Sequence, residues 1–212
     1  VIMDGGYDED RGIQFNARMK KYLNISAGAS APVMSIRIAP SVDNGIGRNF
    51  GKREVVNTMQ LALKELETLG TGPFLIEGVF NPTTLEDDIS ATSGNYPSCW
   101  EDVNVGSGSL AQIIYHDGTG TPGSDATASG SVTGGDTIFS FYTDNSGGSN
   151  LSITRYSLES VKELGTSILS GNGSVATPGY PNGPDVLTIV VTNIGASTAK
   201  VSSRLSWTEA QA

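Results

Sequence analysis

The sequence predicts an all-β domain, a two-sheet β-sandwich of jelly-roll-like topology with long polar loops. Three observations predict this fold class. Charged residues make up only 17% of the 212 residues while glycines number 27, short apolar segments alternate between two faces, and long stretches of Gly, Ser, Thr and Asn separate those segments. A chain of this length buries a core of its own, so we expect one domain with an appendage.

Residues 1–32 are predicted to form an extended N-terminal arm or linker, and residues 33–212 the sandwich domain. The arm begins with an acidic, glycine-containing stretch and has too little apolar area to fold alone. Within it, Phe15, Met19, Tyr22 and Leu23 recur at helical spacing, which predicts one or two helical turns. We expect such an arm to drape over a neighbouring subunit or to join upstream sequence.

Six segments predict strands. In each, apolar residues alternate with polar ones or form a short run that turn residues end. The segments are 33–38, 74–80, 110–115, 138–142, 186–191 and 201–207. Residues 138–142 and 186–191 carry apolar side chains on both faces, which is typical of an inner strand.

Residues 53–69 satisfy two periods at once. Val56, Met59, Leu63 and Leu66 form a helical stripe, whereas Met59, Leu61 and Leu63 alternate as in a strand. Since the surrounding segments are all β, the strand is favoured for residues 54–66.

One short helix is predicted at 157–164. Ser157 would cap its N-terminus, and Gly165 would end it. The other connections, 82–108, 117–135 and 171–185, are long and polar. Loops of this length in a compact domain usually carry function or are ordered by a partner.

The formal charge of −9, from 22 acidic and 13 basic residues, argues against two classes of partner. Nucleic acid binding needs lysine and arginine to displace counterions from phosphates, and docking on an anionic membrane needs them as well. No apolar run approaches the ~18 residues that span a bilayer. We therefore expect neither a nucleic acid nor a membrane partner.

Residues that carry common enzyme chemistry are scarce. The only histidine, His116, stands beside Asp117 after a predicted strand, and we interpret it as a surface residue in a turn. The single cysteine, Cys99, we interpret as a buried structural thiol. One histidine excludes a two-histidine zinc site and leaves a catalytic triad with one candidate member. The sequence thus predicts a non-enzymatic protein with no catalytic residues and no cofactor.

Two acidic clusters offer the hard oxygen ligands that calcium prefers, Asp8-Glu9-Asp10 and Glu86-Asp87-Asp88. Neither has the spacing of an EF-hand, and solvated loop acids explain them better. A glycosidase pair of carboxylates would need a cleft lined by aromatic residues, which make up only 7% of the chain. No metal site is predicted.

A carbohydrate- or receptor-binding β-sandwich is the alternative function. Sandwiches with long polar loops bind glycans by stacking sugar rings on exposed aromatic side chains. Tyr96 and Trp100, in the loop at 82–108, are the candidates for such stacking. Packing in a core or an interface is the other explanation of Trp100.

Four segments of residues 33–212 are strand-and-turn sequences without catalytic chemistry. They are Arg37-Ile38-Ala39-Pro40-Ser41-Val42-Asp43-Asn44, Arg53-Glu54-Val55-Val56-Asn57 with Met59-Gln60-Leu61, Tyr180-Pro181-Asn182-Gly183-Pro184-Asp185 with the strand after it, and Arg204-Leu205-Ser206-Trp207-Thr208-Glu209-Ala210-Gln211-Ala212. Together they resemble segments that recur in virion structural proteins of tailed phages infecting marine cyanobacteria.

This resemblance implies a structural role in the virion. The chain would be a C-terminal module of a longer protein, which fits a sequence that begins at Val1 without an initiator methionine. We expect a homo-oligomer that contacts other virion structural proteins, in a collar, tail, fibre or capsid decoration. Many weak contacts in a symmetric particle are multiplied by copy number.

Overall fold

The computed structural model describes residues 14–19, 21–38, 59–82, 84–86, 101–102, 111–116, 126–127, 131–143, 150–158, 164–165 and 186–211. Within these ranges it contains strands and turns but no helix. The strands are β1 (Gln14–Arg18), β2 (Leu23–Ile25), β3 (Ser30–Ile38), β4 (Met59–Gly70), β5 (Phe74–Phe80), β6 (Thr84–Glu86), β7 (Glu101–Asp102), β8 (Ala111–Tyr115), β9 (Ala126–Thr127), β10 (Ser131–Thr133), β11 (Asp136–Thr143), β12 (Ser152–Ser157), β13 (Leu164–Gly165), β14 (Val186–Asn193) and β15 (Ala199–Gln211).

A long antiparallel ladder between β4 and β15 forms the middle of a seven-stranded sheet. Eleven residue pairs make up this ladder, from Val201 opposite Gly70 to Gln211 opposite Met59. On its other side β15 pairs with β2 and with β1, while β4 pairs with β12 and β13. The short β9 pairs with β2 in parallel. β15, which is late in the sequence, therefore holds β1 and β2, the two earliest described strands, in the sheet.

The second sheet has six strands in the order β11-β5-β14-β3-β8-β7, and all of its pairs are antiparallel. Six of the eight residues of β14 are buried, which confirms the inner strand predicted at 186–191. A two-stranded ladder of β6 and β10 follows the β5–β11 ladder. Left-handed backbone at Asn81 and Gly135, with φ of 49° and 81°, separates the two ladders.

The core lies between the two sheets. Leu66, Leu205 and Trp207 contribute to it from the seven-stranded sheet, and Ile76 and Ile189 from the six-stranded sheet. All five are at most 2% exposed, and Trp207 is fully buried. The predicted two-sheet β-sandwich is therefore confirmed.

Lys64 is the extra residue of a β-bulge in β4. Consecutive residues of β15 lie opposite the residues on either side of Lys64, which itself has no opposite residue. Because of the bulge, the buried Leu63 and Leu66 are three positions apart, which is a helical spacing. This shift explains why residues 53–69 satisfied both periods, and the predicted strand is confirmed from Met59 onward.

Residues 14–19 form an extended segment, so the helical turns predicted from Phe15, Met19 and Leu23 are wrong. Phe15, Ala17 and Met19 are buried, and the residues between them are exposed. A spacing of four residues is common to a helix and a strand. Pairing with β15 decides in favour of the strand, because tertiary context outweighs intrinsic preference.

Residues 14–32 belong to the two sheets. β1 and β2 pair with β15, and β3 begins at Ser30. The predicted boundary between arm and domain, after residue 32, therefore lies inside β3. The expected arm then concerns residues 1–13, which lie outside the described residues.

The prediction of an inner strand at 138–142 is wrong, because β11 is the edge strand of the six-stranded sheet. Phe139 and Phe141 are buried, whereas Tyr142 between Phe141 and Thr143 is 69% exposed. Buried and exposed side chains therefore alternate along the segment. The sequence pattern counts Tyr142 as a buried apolar residue, but its side chain is exposed.

Both described ends of the helix predicted at 157–164 lie in strands. Ser157 ends β12, and Leu164 begins β13. The backbone N–H of Leu158 donates to the carbonyl oxygen of Lys64 at 2.8 Å, which keeps the chain beside β4. The helix predicted between these two strand ends, and with it the capping role of Ser157, falls on residues 159–163, which lie outside the described residues.

Two of the predicted loops contain short strands. β6 and β7 lie within 82–108, and β9 and β10 lie within 117–135. Strands of two or three mostly polar residues have no apolar alternation, so the sequence pattern gives no sign of them. The third loop, 171–185, lies outside the described residues.

Candidate functional site

A row of charged side chains crosses the outer face of the seven-stranded sheet. Four neighbouring strands contribute one residue each to the row, namely Arg155, Glu67, Arg204 and Arg18. Glu67 Oε2 accepts hydrogen bonds from Arg155 Nε at 3.0 Å and from Arg204 Nη2 at 3.2 Å. Glu67 Oε1 lies 3.6 Å from Arg18 Nη2. Arg204 Nη2 also donates to Glu65 Oε1 at 3.2 Å, and we call these five residues the charge ladder.

The charge ladder carries more positive than negative charge. Three guanidinium groups face two carboxylates, in a chain whose formal charge is −9. The side chains of Arg18 and Arg155 are 64% exposed, whereas that of Glu67 is 13% exposed. Exposed ion pairs contribute only about 0–1 kcal/mol each to stability. The larger effect of the ladder is thus a positive local potential on an acidic protein.

A groove of about 280 Å³ lies beside the charge ladder. Arg18, Glu67 and Arg204 form part of its wall. The other residues that line it are Met19, Lys21, Tyr22, Leu69, Ile153, Ser202 and Ser203. The groove therefore combines positive charge, one aromatic ring and two branched apolar side chains, which suits a ligand with negative charges and an apolar part.

The two sheets have open edges on the same side of the sandwich. β11 ends the six-stranded sheet and β12 ends the seven-stranded sheet, and neither has a second strand partner among the residues that the structure describes. Five large apolar side chains are exposed in these ranges, and four belong to this side: Tyr142 (69%), Leu151 (49%), Ile153 (61%) and Tyr156 (37%). We call β11, β12 and these four side chains the open edge.

His116 is buried, so its predicted position on the surface is wrong. Only 1% of the residue is exposed. Its Nε2 atom lies 2.8 Å from the hydroxyl oxygen of Ser35, which in turn lies 2.8 Å from the hydroxyl oxygen of Thr188. The backbone N–H of His116 donates to the carbonyl oxygen of Val33 at 3.1 Å. This backbone hydrogen bond extends the pairing of β8 with β3 by one residue beyond Tyr115, and the imidazole is therefore buried.

The contact between Ser35 and His116 has the spacing of a nucleophile and its base, but it lacks access to a substrate. Ser35 and Thr188 are both 0% exposed. A serine hydroxyl has one hydrogen to donate, so Ser35 either donates to the imidazole and accepts from Thr188, or the reverse. Both neutral tautomers of His116 are compatible with hydrogen bonds along the chain of His116, Ser35 and Thr188. The arrangement satisfies buried polar atoms and is a structural feature of the six-stranded sheet.

The residues predicted to stack on glycans, Tyr96 and Trp100, lie outside the described residues, and so does Cys99. The same holds for the acidic cluster at 8–10 and for Asp87 and Asp88. In the described part of the chain, no group of three or more His, Cys, Asp or Glu side chains could hold a metal ion. The stacking role of Tyr96 and Trp100 therefore stays a prediction.

Among the residues that the structure describes, there is no helix long and apolar enough to cross a membrane. No protein-family model matches the sequence, and no curated protein matches it either.

The charge ladder and the groove were not predicted from the sequence. The signal that exists is local, because Glu65 and Glu67 alternate with Leu66 and Thr68 on β4, as outward positions of a half-buried strand do. This alternation does not predict that Arg18 and Arg204 both contact Glu67. That relation needs the pairing of β1, β15 and β4, which are far apart in the sequence.

Proposed function

We propose that this chain is a non-enzymatic structural module of a tailed-phage particle that self-associates and contacts other particle proteins. The open edge is the observation that carries the self-association. Within the part of the chain that the structure describes, β11 and β12 each lack a second strand partner and carry exposed apolar side chains, two features that favour the addition of a strand or a surface from another chain.

The composition of the open edge supports this proposal. Natural sheets protect an exposed edge with lysine, with proline or with an inward-pointing charge. In β12 the only charged residue is Arg155, which is hydrogen-bonded to Glu67 within the sheet. The neighbouring Ile153 and Leu151 are exposed. An edge of this kind favours association over solubility as a monomer.

The location in a phage particle rests on the four segments that resemble virion structural proteins. Two of these segments supply β14 and β15, the central strands of their sheets. The resemblance thus lies in the scaffold. Contacts of the open edge would be repeated in every copy, and a symmetric particle turns many weak contacts into a stable assembly.

Sedimentation velocity of the full chain over a range of concentrations tests the self-association. We expect Leu151→Lys to weaken association by about tenfold or more, since burial of a leucine contributes about 1.5–3 kcal/mol and 1.4 kcal/mol is tenfold. Ile194→Lys is the matched control, because Ile194 is similarly exposed (48%) but lies in the turn before β15. The control variant should associate as the parent does.

A parent chain that stays monomeric at the highest concentration would overturn the self-association. Equal loss of association in Leu151→Lys and Ile194→Lys would show that the open edge is not the contact surface. The location has a separate test, which is mass spectrometry of purified phage particles from cultures whose phage genomes encode this sequence. Absence of its peptides from the particles would refute the structural role in the virion.

A further inference from the structure

We propose that the groove beside the charge ladder binds the acidic segment Asp4–Asp10 of a second copy of this chain. The inference rests on the proposed self-association and names a second contact surface for it. The open edge joins sheets through apolar contacts, whereas the groove would receive a charged segment.

Charge complementarity is the first argument. The groove and the ladder beside it carry Arg18, Lys21, Arg155 and Arg204 against Glu65 and Glu67. Each guanidinium offers about five N–H donors, and the two carboxylates cannot accept from all of them. Arg204 Nε is buried without an acceptor in the structure. An incoming carboxylate adds the acceptors that this cluster lacks.

The composition of the segment is the second argument. Four of its seven residues are acidic, and they surround Gly5, Gly6 and Tyr7. Leu69 and Ile153 stand opposite each other on β4 and β12 and give the groove an apolar part, and Tyr22 also lines it. A segment that combines one aromatic side chain with carboxylates therefore matches a groove that combines apolar residues with cations. The two glycines let the backbone approach the sheet closely.

The direction of β1 favours a second copy as the source of the segment. Arg18, at the end of β1, lines the groove, whereas Gln14 stands opposite Thr208 at the far end of the strand. Four steps of about 3.4 Å separate the two residues. Gln14 thus lies at the end of β1 that is away from the groove. A segment that continued the line of β1 would lead away from the groove of its own chain, and for this reason we assign the groove to the segment of a second copy.

A mixing experiment with full-length variants tests the proposal. One variant carries Arg18→Glu in the groove, and the other carries Asp8→Arg, Glu9→Arg and Asp10→Arg in the segment. Each variant alone places like charges in contact, so we expect its association to weaken by about tenfold or more. In an equal mixture, each segment can meet a groove whose side chain at position 18 carries the opposite charge. We expect sedimentation velocity to show association restored in the mixture, which a simple folding defect would not allow.

Zero-length carbodiimide cross-linking of the parent chain provides the second measurement. The reagent joins the Lys21 amine to a carboxylate that touches it. Light and ¹⁵N-labelled chains are mixed before cross-linking, and mass spectrometry identifies peptides that join Lys21 to Asp8, Glu9 or Asp10. We expect pairs of one light and one heavy peptide.

Each alternative outcome is decisive. Cross-links confined to peptides of the same isotope would place the segment in the groove of its own chain and overturn the proposal. Association of the parent chain without this cross-link, and without rescue in the mixture, would overturn the groove contact but leave the proposed self-association standing. A parent chain that is monomeric throughout would overturn both.

Discussion

The ring of Phe141 lies flat on the ring of Tyr156, with centroids 3.9 Å apart and an interplanar angle of 2°. The two residues belong to different sheets, since Phe141 is on β11 and Tyr156 is on β12. Phe139 stacks on Phe141 at 6.3 Å and extends the contact along β11. This stack of rings closes the core at the open edge, where both sheets end.

Tyr156→Ala should destabilise the protein by about 1–2 kcal/mol, measured by urea unfolding. The variant loses the stack with Phe141, and an aromatic pair contributes about 0.5–1.5 kcal/mol beyond the area that it buries. Tyr142→Ala is the control, because Tyr142 is 69% exposed on the neighbouring edge strand. We expect a change of less than about 0.5 kcal/mol for the control. Equal effects of the two substitutions would contradict the closing role of Tyr156.

Gly78→Ala should destabilise the protein by about 1–3 kcal/mol, because a methyl group has no space there. Gly78 stands opposite Phe139, and a Cβ at Gly78 would lie 2.2 Å from Cε1 of the Phe139 ring. The double variant Gly78→Ala/Phe139→Leu should recover part of the loss. A double-mutant cycle from denaturant unfolding measures this coupling. Strict additivity of the two substitutions would refute the steric explanation.

Ser35→Ala should cost more stability than Thr188→Val. Ser35 is the middle of the buried chain of polar groups, so its loss removes a partner from both His116 and Thr188. We expect about 1–3 kcal/mol for Ser35→Ala and about 1 kcal/mol for Thr188→Val, which removes only the end of the chain. Thermal and urea unfolding of the two variants provide the comparison. A larger effect at Thr188 would show that the serine is not the central group.

Glu67→Gln should reduce the free energy of unfolding by about 1–2 kcal/mol at low salt, and by less at high salt. The substitution removes the carboxylate that Arg18, Arg155 and Arg204 share. Salt screens the ion pairs that the charged residue makes in the parent protein, so the difference between the two proteins shrinks as salt rises. Glu77→Gln, on the six-stranded sheet, is the matched control and should show no such dependence. A constant difference across salt concentrations would argue against an electrostatic role.

The sequence pattern was sufficient for the strands that alternate or that are apolar on both faces. β14 and β15 are examples, because Ile189 and Trp207 stand in regular patterns within their strands and both are buried. Pattern failed where a backbone irregularity shifted the phase. The bulge at Lys64 leaves the buried Leu63 and Leu66 three positions apart, which imitates the spacing of a helical stripe.

Residues whose position depends on distant strands escaped prediction. His116 follows β8 and reads as a turn residue, but the backbone bond to Val33 of β3 carries it into the protein. The charge ladder has the same origin, since Arg18 and Arg204 lie side by side only because β1 pairs with β15. A single sequence specifies which face a residue occupies far better than which strand lies beside it.

The central place of β15 has a consequence for synthesis of the protein on the ribosome. β1, β2 and β4 are translated long before residues 199–211, yet all three pair with β15. Pairing between residues so far apart in the sequence slows folding. Until the ribosome releases β15, the nascent chain lacks the strand that joins β1 and β2 to β4, and its apolar residues stay accessible to chaperones.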